Sequence, residues 1–122
     1  MTKNAIVYAR VSTDDQADKG FSLSAQVDAG RKYAEAHGMT VAHELIDDGV
    51  SGAMAFSERP AGATAWALLR SGKAHALIVQ NVDRLSRDVV DLLVTIRELL
   101  RVKAEVHCLD LGRVTSEYDI ML

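Results

Sequence analysis

Ser12 stands two residues after Arg10, so in an extended chain both side chains leave the same face. Two more arginines, Arg84 and Arg87, follow Asp83, and Arg59 directly precedes Pro60. Arginine keeps its charge at any working pH, and its planar fork binds phosphate oxygens in pairs. A hydroxyl beside several guanidiniums can attack a phosphodiester while the cations neutralise the charge developing at phosphorus. A plainer account is also available, with Ser12 capping a turn and Arg84 and Arg87 solvated on the surface. On spacing alone both accounts stand.

Other reactive side chains form weaker patterns. His37, His43, His75 and His107 have no ligand spacing such as His-x-x-x-His, so structural or surface roles are expected. Cys108 lies in an apolar run and reads as a small buried residue, and Trp66 as a core residue. Asp14, Asp15 and Asp18 share a polar stretch without the glycine-hinged calcium-loop pattern, and read as solvated turn residues. A metal-dependent phosphoryl-transfer site would call on Asp47, Asp48 and Asp83. A non-catalytic assembly module is the third class of function open to the chain.

The elements that must position these residues alternate regularly. Strands are expected over 5–11, 39–46, 76–80 and 105–111. Helices fall between them: one after Ser22 and ending by Gly38, one over 61–70 with Pro60 in its first turn, and one capped by Ser86. In the last helix Val89, Leu92, Leu93, Ile96 and Leu100 should line one face. Residues 12–21 and 47–59 read as loops, the second as mobile, and no element is evident near Leu122. This order predicts an α/β domain with a mostly parallel sheet of four or five strands, right-handed crossovers and helices on both faces. In such sheets the site lies beyond the carboxyl ends of the strands, where Arg10, Ser12, Asp47, Asp48, Asp83 and Arg84 all fall.

Composition sets outer limits. At 122 residues, with 48% hydrophobic and 25% charged residues, the chain is expected to form one domain over 1–122. No apolar run is long enough to span a bilayer, and the start lacks a secretory pattern. A single cysteine suits a reducing, cytoplasmic setting. The net charge of −3 excludes gripping nucleic acid by bulk charge. Phosphate chemistry must then come from a few placed arginines.

The wording of the segments adds to the spacing. Tyr8-Ala9-Arg10-Val11-Ser12 with Gln16, then Gly20-Phe21-Ser22-Leu23 with Gln26, resembles the amino-terminal signature of the serine recombinases. Asp48-Gly49-Val50-Ser51-Gly52, Arg59-Pro60 and Asp83-Arg84-Leu85-Ser86-Arg87 are similar to further motifs of that family, in its order. The Gly-x-Ser-Leu-x-x-Gln wording is closer to the large serine recombinases than to small resolvases and invertases. The resemblance implies a resolvase-like three-layer α/β catalytic domain that acts on double-stranded DNA in a bacterial or phage setting. Ser12 would form a 5′-phosphoserine link, with Arg10, Arg84 and Arg87 on the phosphate and Arg59 assisting. Asp83 would hold the arginines, and Gln16, Gln26, Asp48 and Ser51 would support them. No metal or cofactor is implied. A dimer and a synaptic tetramer would form through a long helix expected after Leu122, with DNA-reading domains beyond it.

One further expectation concerns assembly. The guanidiniums should repel one another, and the sequence supplies too little carboxylate to fix them all. The free site is therefore expected to be incomplete, with Ser12 held away from Arg84 until DNA arrives.

Overall fold

A computed structural model describes residues 2–12 and 22–121. Its element order is β1 (Asn4–Val11), α1 (Leu23–Ala36), β2 (Thr40–Asp48), α2 (Pro60–Arg70), β3 (Ala76–Val79), α3 (Val89–Arg101), β4 (Glu105–Cys108), β5 (Gly112–Val114) and α4 (Tyr118–Met121). The five strands form one sheet in the order β2-β1-β3-β4-β5. The pairs β1–β2, β1–β3 and β3–β4 are parallel, and β5 closes the edge antiparallel to β4.

Side-chain alternation along β1 divides the core. Ala5 and Val7 face α1, where they pack with Ala34, Ala76 and Ile78. Ile6 and Tyr8 face the opposite way, into the larger cluster of Phe56, Leu69, Leu92, Ile96 and Leu99 beneath α2 and α3. β1 is buried on both faces, which is why its sequence reads as a nearly continuous apolar run. α1 lies very close to it: a Cβ on Gly30 would sit 2.5 Å from a methyl of Val7, so only glycine fits there.

Several expected boundaries shift, each for a visible reason. β2 continues through Asp47 and Asp48 because its register with Arg10 and Val11 of β1 outweighs their low strand propensity. The expected strand over 105–111 breaks after Cys108, and Gly112, at φ 81°, starts the antiparallel return as β5. α3 is capped by Asp88, whose side chain accepts from the Asp91 N–H, and not by Ser86. Ser86 is buried and bonds the backbone of Asp88 in both directions. The buried residues of α3 are Leu92, Ile96 and Leu99, whereas Val89 is 68% exposed. Among the described residues no helix is long and apolar enough to cross a membrane.

The amino-terminal end of the sheet carries a buried polar chain. The Tyr33 hydroxyl meets Nδ1 of His107 at 2.6 Å, and Nε2 of His107 meets Glu105 at 3.0 Å. Lys3 pairs with the same Glu105, and Tyr33 stacks on His37 at 4.0 Å. Burial, followed by the charges of Arg113, His37 and Lys3, pulls the His107 pKa down to about 4. A neutral ring then donates to Glu105 and accepts from Tyr33. Cys108 next to it is fully buried, and its thiol is pushed up to about 12 by burial.

His107 therefore links folding to pH. The unfolded chain takes up a proton near the ordinary value of 6.5 that the folded chain refuses until about 4. This contribution is complete above pH 6.5 and is lost as the pH falls, by up to about 3 kcal/mol at pH 4. Urea denaturation across that range should show a steeper acid loss for the natural chain than for His107→Gln. Equal slopes would contradict a neutral, buried His107.

Candidate active site

The carboxyl ends of β1 and β2 and the turn after β3 meet at one edge. Three arginines come together there, and all are buried: Arg10 and Arg59 at 0% exposure and Arg84 at 1%. A buried guanidinium cannot discharge, so each N–H needs an acceptor. The fold supplies them mainly as main-chain carbonyls.

Arg10 leaves β1 on the same face as Ile6 and Tyr8. Its Nη1 donates to Val50 O at 2.9 Å, Nη2 to Asp83 O at 2.8 Å and Nε to Arg84 O at 3.2 Å. Arg84 answers through Nη1, which donates to Arg10 O at 2.7 Å. Its Nε and Nη2 reach the two carboxylate oxygens of Asp83 at 3.3 and 3.2 Å. Burial, then the charges of Arg84 and Arg59, lowers the Arg10 pKa to about 10, which still leaves it charged at neutral pH.

Arg59 is saturated. Nε donates to Met54 O, Nη1 to Tyr8 Oη and Arg84 O, and Nη2 to Gly52 O and Leu85 O. A guanidinium has five N–H donors, so none remains for a phosphate. In this structure Arg59 therefore braces the carbonyl frame from the loop side. Tyr8, its neighbour, has its hydroxyl pKa raised, chiefly by burial.

The remaining expected residues divide by position. Ser12 follows β1 directly and is half-buried. Arg87 is exposed, with its N–H on Gly52 O at 3.2 Å. Gln26, 1% exposed on α1, accepts from Arg10 N at 3.1 Å and donates to Arg10 O at 3.0 Å. Its amide thereby pairs the β1 backbone past Val7, the last residue registered with β3. Asp48 lies exposed at the end of β2, opposite Val11. Ser51 is exposed, and its Oγ accepts from Ala53 N, which makes it a turn residue. Gln16, with Asp14, Asp15 and Asp18, lies outside the described residues.

Two other expectations change. Repulsion does not keep the arginines apart, because carbonyl dipoles hold Arg10, Arg59 and Arg84 in one interlocked cluster. The 47–59 segment is pinned rather than loose: Val11 O receives Gly49 N and Val50 N, and Val50, Gly52 and Met54 give carbonyls to arginines. The aspartates proposed for a metal do not gather. Among the described residues no three His, Cys, Asp or Glu side chains could hold an ion. Asp47 instead accepts from Tyr8 Oη, Ala61 N and Gly62 N. Sequence reasoning missed this bracing role, for which the only signal was the Asp47-Asp48 doublet.

Comparison with known proteins agrees with this geometry. The family described as Resolvase, N terminal domain, matches residues 5–121. Transposon Tn2501 resolvase of Escherichia coli is 34% identical over 108 residues, which cover 88% of this chain and 50% of that protein. Serine recombinase PinR of Escherichia coli (strain K12) is 32% identical over the same shares. The crystal structure of the N-terminal catalytic domain of TP901-1 integrase has a TM-score of 0.83 at 34% identity. That match covers 98% of this chain and 88% of the other. The chain thus spans about half the length of the curated relatives it matches.

Gly52 is the tightest point of the cluster. A Cβ there would lie 2.8 Å from Cγ of Arg87 and 2.9 Å from Nη2 of Arg10. Arg87 is exposed and can move, but Arg10 can yield only by releasing the Asp83 carbonyl. Gly52→Ala should therefore cost about 1–3 kcal/mol in chemical denaturation. A neutral result would mean that the cluster is looser than its hydrogen bonds imply.

Proposed function

Because the chain belongs to the resolvase N-terminal domain family, we propose that it is the strand-cleaving domain of a serine site-specific recombinase. The observation that carries this reading is the buried arginine cluster set two residues from Ser12, at the sheet edge where α/β folds place their sites. The Ser12 hydroxyl loses its proton and attacks phosphorus. The Ser–O–P bond forms, the bond from phosphorus to the 3′ oxygen breaks, and that oxygen takes up a proton. The reverse attack by a 3′-hydroxyl frees the serine and seals the exchanged strand.

Each arginine has a distinct part. Arg87, exposed at the rim, meets the DNA phosphate, and Arg10 and Arg84 supply fixed positive potential behind it. Asp83 orients the Arg84 fork, Gln26 fixes the backbone of Arg10, and Gln16 and Asp48 complete the surroundings. Arg59 keeps the carbonyl frame in register. Neither a metal nor a cofactor enters these steps. The substrate is double-stranded DNA in the cytoplasm of a bacterial host, and the active assembly is a dimer that pairs into a synaptic tetramer.

Ser12→Ala in the complete protein should abolish covalent attachment to a nicked suicide substrate while leaving DNA affinity unchanged. An adduct formed without Ser12 would overturn the assignment. Arg84→Lys keeps the charge but removes the fork and should slow cleavage on the order of 100-fold or more. A natural rate in that variant would show that cleavage does not depend on the Arg84 fork.

A further inference from the structure

Helix α2 starts without a capping side chain of its own. Arg59 occupies the N-cap position but makes no cap bond, and Pro60, in the first turn, has no N–H to offer. The next donors, Ala61 N and Gly62 N, would be orphaned at a buried helix end. Asp47 takes both from the neighbouring strand β2: Oδ1 accepts from Ala61 at 2.8 Å and Oδ2 from Gly62 at 3.0 Å. Oδ2 also accepts the Tyr8 hydroxyl at 2.7 Å. The carboxylate is 2% exposed and sits at the positive end of the α2 dipole.

This remote cap supplies the acceptor that the N-cap residue lacks. An N-cap side chain normally folds back onto the first turn to satisfy it. Arg59 has donors only and could not cap the helix itself, so it turns inward, where its five N–H groups meet carbonyls of the 52–54 segment and of Arg84 and Leu85, and the Tyr8 hydroxyl. The loop backbone also lies directly on the helix start, since a Cβ at Gly62 would be 2.1 Å from Phe56 O. The direction of Arg59, the start of α2 and the loop that supports Arg10 therefore form one mechanical unit. Asp47 is its anchor on the sheet.

We infer that Asp47 is a positioning residue for the cleavage site: by capping α2 from β2, it fixes the helix start from which Arg59 reaches inward to brace the carbonyl frame around Arg10 and Arg84. The catalytic part of this inference rests on the recombinase reading above, whereas the positioning is a property of the folded chain. Asp47→Asn preserves shape but sets an NH2 group against at least one of the three donors now bound.

Two measurements test it separately. In the isotope-labelled chain, Asp47→Asn should speed hydrogen exchange at Arg59 Nε about tenfold or more relative to the Ile78 amide of β3, which reports global opening. Asp47→Ser, which retains one acceptor, replaces it if the amide variant does not fold. An unchanged exchange ratio overturns the inference. In the complete protein, covalent adduct formation at saturating DNA should slow about tenfold or more while DNA affinity stays within about twofold. A natural cleavage rate also overturns it, because loss of stability alone does not slow a folded enzyme that is saturated with DNA. If the unsubstituted protein forms no Ser12-dependent adduct, the recombinase reading fails, and the exchange ratio alone decides the role of Asp47.

Discussion

A guanidinium has five donors and a charge it cannot shed, and this fold buries three of them at one sheet edge. Desolvating such groups costs several kcal/mol each unless every donor is met. A carboxylate meets two of them, where Asp83 pairs with Arg84, but a carboxylate for every arginine would cancel the positive charge of this edge. Carbonyl oxygens satisfy the donors and leave the net charge in place. Regular helices and strands use up most of their carbonyls internally, so apart from Arg10 O in β1 the main-chain acceptors come from segments between the longer elements. The segments around Val50–Met54 and Asn81–Leu85 supply them, and this explains the absence of a clean period there.

The rest of the sheet follows from keeping that edge in place. β1 lies between β2 and β3, buried on both faces, and delivers Arg10 and Ser12 from the interior of the sheet. β3 is short, so beyond Val7 the exposed flank of β1 is completed by the amide of Gln26 rather than by another strand. At the opposite end of the sheet the polar interior is solved differently. Tyr33, His107 and Glu105 form a chain in which His107 stays neutral. One end of the domain thus keeps an excess of positive charge, with Asp83 pairing Arg84 alone, while the other keeps its histidine neutral.

Much of this was legible in the sequence because local chemistry decided it. The apolar run of β1, the cap at Ser22 and Pro60 in the first turn of α2 each announced their element. The failures occurred where partners distant in sequence took control. The charges of Asp47 and Asp48 argued for ending β2, yet pairing with Arg10 and Val11 carries the strand through them. Ser86 and Asp88 are both capping residues, and only burial of Ser86 left the cap to Asp88. Apolar continuity hid the turn between β4 and β5, although Gly112 was a signal for it. Counting carboxylates against arginines overlooked the main-chain acceptors, which no composition reveals.

Those acceptors also change how the chemistry is organised. A cluster that repelled itself apart would have to be gathered by the substrate, and part of the binding energy would be spent on that ordering. Here Arg10 and Arg84 already donate to each other's carbonyls, so their forks are oriented before a phosphate arrives. Preorganised charge of this kind need not rearrange as the transition state forms, which is where electrostatic catalysis is most effective. Burial first, and then repulsion from Arg84 and Arg59, holds the Arg10 pKa down near 10. On the recombinase reading, a phosphate entering beside Ser12 and the exposed Arg87 would relieve that repulsion, and the relief would grow as negative charge accumulates on its oxygens. On that reading the buried cluster would favour the transition state over the ground state without needing to touch every oxygen itself.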